Sequence, residues 1–280
     1  MKNKSAISTS ALLCAVALFA VFSITADAAM TYGVGLRDNK GVYQVNFDTG
    51  GVTAVFETPE MEWYGATDGD CAHPGTFYAT GNGGALYRID VANKNDTAVG
   101  DNGYNVPAII NGLAYDEDSG ILYGTDYKNL FSIDITSGSD TEGQATFISA
   151  LDVSGDIWAF DYDSSINELV ALTYSGYRTK MYYIDPFTGD ADYIDHSLIG
   201  RITDIWYDET SSKTFGVSNN PATGSGKLYE IDTTTGCIVQ TDCIRYDLLG
   251  LGKPCSNSVP EPGTAVLLSM GIGIIIRKKR

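Results

Sequence analysis

Asp161-Tyr162-Asp163, followed by Ser165 and Asn167, sets side-chain oxygens at alternate positions of one short segment. Ca2+ takes six to eight oxygen ligands, and this spacing is how a calcium loop begins. The pattern then departs from such a loop. Leu172 stands at the twelfth position, where a bidentate glutamate is needed, and Ile166 stands at the sixth, where a glycine is needed. Asp, Ser and Asn are ordinary turn formers as well. Plain turns are the expectation, with weak Ca2+ candidates at Asp161, Asp163, Ser165 and Asn167 and no other cofactor.

Nucleophilic chemistry has little material to work with. His73 and His196 are the only histidines, and neither sits in a recognisable triad. Cys71, two residues before His73, would make a nucleophile–base pair only if it stayed a free thiol. Asp156, Asp204 and Glu62 are the acids that an inner strand could carry toward a central channel. Trp63, Trp158, Tyr174, Tyr177, Arg178 and Trp206 form the candidate ligand surface, since aromatic faces stack on sugar rings and Arg donates hydrogen bonds. Tyr174, Tyr177 and Arg178 are expected in a long loop, and the three tryptophans near inner strands. No catalytic residue is assigned, and the chain is expected not to be an enzyme.

Charge narrows the partners. Setting aside six basic and two acidic residues at the two ends leaves 12 Lys+Arg against 33 Asp+Glu, a net charge near −21. So acidic a surface repels nucleic-acid phosphates and anionic lipid headgroups. It attracts divalent cations, basic proteins and amine-bearing polymers.

The two ends read as addresses rather than as fold. Lys2 and Lys4 precede an apolar core from Ala11 to Ile24, and Ala26-Asp27-Ala28 offers small residues for signal peptidase, so residues 1–28 read as a secretory signal. At the other end stand Val259-Pro260-Glu261-Pro262, an apolar run from Thr264 to Ile276, and the basic stop Arg277-Lys278-Lys279-Arg280. Pro260 and Pro262 fix φ and keep Glu261 in an extended, accessible segment. Thirteen apolar residues at about 1.5 Å each span roughly 20 Å against about 30 Å of hydrocarbon, so the run needs snorkelling cations or a thinned bilayer to cross.

This order of prolines, apolar run and basic end, over residues 257–280, resembles the C-terminal sorting signal of PEP-CTERM proteins, also called the ice-binding protein C-terminal motif. The resemblance implies export from a Gram-negative-type bacterium and handling by an exosortase-type membrane enzyme. An inner-membrane intermediate and then the cell surface or an extracellular matrix such as a biofilm would follow. The ice-binding label does not extend to the body, which lacks a regular Thr-rich face.

Internal repetition organises residues 30–256. An apolar residue, an aromatic, any residue, an apolar residue and Asp or Asn recur at Val42–Asn46, Leu86–Asp90, Leu130–Asp134, Met181–Asp185 and Leu228–Asp232. Glycine stands four residues after each copy, at 50, 138, 189 and 236, except that Lys94 replaces it in the second. The aromatics at 43, 87, 131, 182 and 229 are 44, 44, 51 and 47 apart. Short β-rich runs at a period in the forties are what propeller blades show. Pairs of an aromatic or Val with a small residue (Tyr32-Gly33, Tyr78-Ala79, Tyr123-Gly124, Val170-Ala171, Phe215-Gly216) and Tyr-Asp pairs at 115–116, 162–163 and 207–208 supply two further strands per copy. The expected fold is therefore an all-β propeller of five four-stranded blades, with a β-sandwich as the alternative. The repeats resemble NHL and YVTN-type blades, a likeness that implies no activity. The first copy lacks an inner strand, and Ile244-Arg245-Tyr246-Asp247 is expected to complete it from the C-terminal end. Of the four cysteines outside the signal, Cys237 with Cys243 is the first expected pair, leaving Cys71 for Cys255.

An exported, non-catalytic propeller that binds polysaccharide or protein is the functional expectation. A secreted hydrolase or lyase acting on extracellular polymers is the alternative, and it requires carboxylates gathered at one mouth of the channel.

Overall fold

The repeated Asp or Asn earns its place at a turn. In the computed structural model, which describes residues 29–35, 40–100, 110–220 and 223–255 and only the backbone of Asn82 and residues 195–199, each copy is one strand of a four-stranded antiparallel sheet. The Asp or Asn closing that strand turns its Oδ1 back to accept backbone N–H groups: Thr49 on Asn46, Asn93 on Asp90, Thr136 on Asp134, Thr188 on Asp185 and Thr235 on Asp232. The chain then leaves the turn through a left-handed residue, which is why glycine stands there: Gly189 has φ 75° and Gly236 has φ 70°. Lys94 takes the same conformation, at φ 56°, without glycine's freedom.

Among the described residues, twenty strands make five sheets. Blade 1 holds β1 (Met30–Gly35), β2 (Gly41–Asn46) and β3 (Gly51–Glu57), with β20 (Leu248–Gly252) as its innermost strand. Blade 2 runs outward through β4 (Gly65–Thr67), β5 (Thr76–Gly81), β6 (Ala85–Asp90) and β7 (Asn95–Ala98), and blade 3 through β8 (Gly112–Asp116), β9 (Ile121–Thr125), β10 (Asn129–Ile133) and β11 (Ala145–Ala150). Blade 4 comprises β12 (Asp156–Asp163), β13 (Glu168–Ser175), β14 (Arg178–Ile184) and β15 (Ala191–Ile199); blade 5 comprises β16 (Asp204–Asp208), β17 (Lys213–Asn220), β18 (Ser225–Asp232) and β19 (Cys237–Ile244). The inner strands touch in the order β20, β4, β8, β12, β16 and back to β20, closing a ring. The expected five-bladed propeller is the fold, not a sandwich.

Its core is divided. Five apolar clusters each lie between two neighbouring blades, such as Trp63, Phe77 and Ala79 of blade 2 against Val34 and Val42 of blade 1. Small residues on the inner strands let the sheets come this close. A Cβ added to Gly250 of β20 would lie 2.5 Å from the backbone nitrogen of Ala66 in the next blade.

Two expectations about closure are corrected. The strand that completes blade 1 is Leu248–Gly252, pairing Leu251 with Gly33, and not Ile244–Asp247. Ile244 ends the outer strand of blade 5, and Tyr246 packs its ring 4.7 Å from that of Tyr43. Of the two expected cysteine pairs, Cys71 with Cys255 forms and Cys237 with Cys243 does not. Cys237 and Cys243 open and nearly close one continuous strand, so their Cα atoms lie about 20 Å apart, far beyond disulfide reach. Both are free, whereas Cys71 and Cys255 are bonded and tie the end of β20's extension to blade 2. Backbone bonds from Gly69 N–H to Lys253 and from Gly75 N–H to Cys255 accompany them. No helix among the described residues is long and apolar enough to cross a membrane. The expected signal peptide, the sorting residues and the basic stop lie outside those residues.

Lys94→Gly is expected to stabilise the fold by about 0.5–1 kcal/mol, because it removes left-handed strain of about 1–2 kcal/mol and restores some unfolded-state freedom. Thermal melts of the two proteins check it; an unchanged or lower midpoint contradicts the turn analysis.

Candidate functional site

An inner strand of each blade is paired on one side only, so its other edge presents N–H and C=O groups to the axis. Side chains from the neighbouring blade answer several of them. Asp161 Oδ2 accepts the Tyr207 N–H of blade 5 at 2.7 Å, and Asp204 Oδ2 accepts the Leu251 N–H of blade 1 at 2.7 Å. Asp68 Oδ1 accepts the Lys253 N–H at 2.6 Å. Asn111 donates to the Ile157 carbonyl at 2.7 Å, and Thr203 to the Leu248 carbonyl at 3.1 Å. The ring is thus laced at its centre by polar side chains, and carboxylates are drawn to the axis for a structural reason.

These acids collect at one mouth. A cavity of about 350 Å³ opens there between the ends of the inner strands. Five carboxyl groups line it, from Asp68, Glu117, Asp161, Asp208 and Glu209, together with Tyr115, Tyr162, Trp206 and Tyr207, and Lys253 is the one cation among the lining residues. Lys253 Nζ stands 5.7 Å over the Trp206 ring, whose Nε1 reaches Asp68 Oδ2 at 3.4 Å. Burial pushes the Asp68 carboxyl up to about 7, against the pull of the Lys253 N–H, the Trp206 donor and the Lys253 charge. Asp161 is raised well above the ordinary carboxylate range, first by burial and then by the charge of Asp68. Asp204 is raised too, chiefly by burial, with Asp161 adding to it. Such a mouth can hold a cationic group, and it contains in Asp68 an acid that titrates near neutrality.

The candidates read from the sequence divide sharply. Trp206 and Asp161 line the cavity, and Asp204 sits buried behind it. Trp63 is core: fully buried, edge-on to Tyr87, its Nε1 bonded to Thr58. Asp163, Ser165 and Asn167 form a turn, with Ser165 N–H and Oγ on Asp163 Oδ1 and Asn167 left-handed at φ 56°. Asp161 faces the axis instead, so these four do not surround one point. The expected long loop is a two-residue hairpin, Gly176-Tyr177 between β13 and β14, which leaves Tyr177 exposed and Arg178 at a strand start. Tyr174 pairs with Asp156 at the opposite mouth, where Trp158 also lies. Glu62 is exposed ahead of β4. Cys71 is in the expected disulfide and makes no pair with His73, whose Nδ1 rests 2.9 Å from Asp70 Oδ1, with the Tyr78 hydroxyl donating to the other oxygen of Asp70. Glu117 and Glu209 are legible in the sequence only as acids of the hairpin turns after Tyr115-Asp116 and Tyr207-Asp208, and Asp68 and Lys253 carry no signal there beyond their place beside inner-strand repeats.

No family model matches the sequence, and no curated protein matches it. Solved structures do. A chain of the nidogen/laminin complex superposes with a TM-score of 0.55 at 11% identity, over 81% of this chain and 98% of that one. A structural-genomics protein of unknown function from Bacteroides thetaiotaomicron gives 0.53 at 18% identity, over 75% of this chain and 54% of its own length. At such identities the likeness is one of fold alone: this chain is similar to β-propellers.

Stability should therefore fall as pH rises from about 4 to about 7. Asp68, raised in the folded protein, holds a proton there that the unfolded chain, with an ordinary Asp near 3.9, has lost. Asp134, lowered to about 2 mainly by the Thr141 hydroxyl, works the other way below about pH 4. Melting at pH 5 should exceed that at pH 8 by several degrees, at roughly 2–4 °C per kcal/mol, and Asp68→Asn should narrow the difference, with Asp161 and Asp204 sustaining the rest. A flat profile in the unaltered protein would contradict the burial of these charges.

Proposed function

We propose that this chain is an exported surface or matrix protein whose propeller binds an extracellular polymer without catalysis, a polysaccharide or a protein that presents a cationic group to the acidic mouth. The observation that carries the reading is the cavity itself, where five carboxyl groups face one lysine between aromatic walls. Opposite charge favours an amine there, and the tyrosines offer rings for the remainder of the ligand. The terminal segments support export: an apolar N-terminal signal, and the PEP-CTERM-like end with Val259–Pro262 and Arg277–Arg280. In this reading an exosortase-type enzyme removes the tail after transient membrane contact.

Chitosan oligosaccharides, which carry amines, should bind the mature protein, and their acetylated counterparts should bind at least about tenfold more weakly, a difference of about 1.4 kcal/mol. Glu117→Gln with Glu209→Gln should weaken chitosan binding and its salt dependence. Calorimetry at two salt concentrations checks this; equal affinity for both sugars would defeat the cavity assignment. Intact mass from the native host tests the address separately. A mass ending near Pro260–Pro262 supports processing, and one retaining Arg280 makes the tail a permanent anchor.

A second reading draws on the same acids. Asp68 near 7 beside Asp161 is the kind of carboxyl pair that polymer-cleaving enzymes use for proton transfer. New chain ends released from a polymer, and lost in Asp68→Asn, would favour it over binding alone.

A further inference from the structure

The opposite mouth of the channel carries features that the acidic cavity does not account for. Trp158 is the extra residue of a bulge in β12, where the register slips between Ile157 and Ala159. Bulges re-aim side chains and are frequent beside sites. Trp158 is half-buried; the Arg201 guanidinium of blade 5 lies 4.3 Å from its ring centre, and the Tyr127 ring of blade 3 meets it edge-on at 5.3 Å. Arg201 is fixed in turn by Asn219, at 2.6 Å.

Tyr127 is the second anomaly. It sits at φ 82°, a conformation costly for a bulky aromatic residue. Lys94, Asn167, Tyr177 and Ser212 also take positive φ, in hairpin turns, but Tyr127 has the largest value of the five, and a glycine would serve the β9–β10 loop as well or better. The surroundings hold the strain in place. Tyr127 O accepts the Ile157 N–H of blade 4 at 3.1 Å, Asp126 Oδ1 accepts the Asn129 N–H at 2.9 Å, and Lys128 Nζ spans to the carbonyls of Val153 and Gly155 at 2.8 and 2.6 Å. Strain held by such over-determined contacts collects where a side chain is needed for function. Asp156 and Tyr64 of blade 2 stand close enough to Tyr127 to raise its hydroxyl electrostatically, after burial, so four blades contribute to this mouth.

We propose that Trp158, Tyr127 and Arg201 form a carbohydrate subsite at this second mouth, taking a neutral sugar ring of an extracellular polysaccharide. Aromatic rings supply the stacking faces, Arg201 donates to sugar oxygens, and Asp156 accepts from sugar hydroxyls. A neutral ring suits the pairing of a donor-only with an acceptor-only side chain. This subsite goes beyond the amine-binding cavity and is independent of it: Glu117 and Glu209 report on one mouth, Trp158 and Tyr127 on the other.

Tyr127→Gly separates function from packing. It relieves the strain, so the variant should melt at or above the temperature of the unaltered protein while losing the tyrosine ring. The probes are neutral gluco-, manno-, galacto- and xylo-oligosaccharides, titrated into the full mature chain and read by calorimetry and tryptophan fluorescence. At least one series should bind, and Tyr127→Gly and Trp158→Ala should each weaken it about tenfold or more, with Glu117→Gln/Glu209→Gln leaving it unchanged. Absence of binding in all four series, or unaltered affinity in a folded Tyr127→Gly protein, would overturn the subsite whatever the fate of the amine-binding cavity.

Discussion

Everything in this protein depends on closing a ring of sheets that have no common core. Each blade buries its apolar face only against its neighbours, in five separate clusters, so a gap at any one interface would expose two faces at once. The weakest line is the axis. There the inner strands keep an unpaired edge, and a buried N–H without a partner costs about 1–3 kcal/mol. Asp161, Asp204 and Asp68 supply those partners from the adjacent blade, and β20 with the Cys71–Cys255 bond supplies the last closure.

That solution has an electrical consequence. Carboxylates recruited to cap backbone amides are buried near one another, and each raises the energy of ionising the next. The side chains that lace the ring therefore also set how readily its mouth ionises. Lys253 is the local counterweight, held by its own backbone bond to Asp68. Structure and electrostatics cannot be varied separately here, because the same oxygens serve both.

The two mouths differ because the chain enters and leaves each inner strand through different chemistry. At the strand ends, Asp116, Asp163 and Asp208 cap turns and acids accumulate. At the strand starts, the bulge at Trp158 and the strained loop at Tyr127 place rings and a guanidinium instead. A ligand approaching from either side meets a different surface.

Sequence alone determined the blade count, the strand order within a blade and the turn chemistry. Those follow from local rules, a recurring apolar-aromatic-x-apolar-Asp strand and an Asp-to-glycine spacing, repeated often enough to be read through noise. Tertiary structure alone decided which residues meet at the axis. Asp68 and Lys253 are 185 positions apart, and their contact exists only once the ring has closed. It also reassigned Trp63 from candidate ligand surface to core and moved the closing strand to Leu248–Gly252, since a tryptophan or a short apolar run carries no mark of which side of a sheet it will face. Repetition is a local signal; convergence on an axis belongs to the closed fold, because no segment contains both sides of a contact between blades.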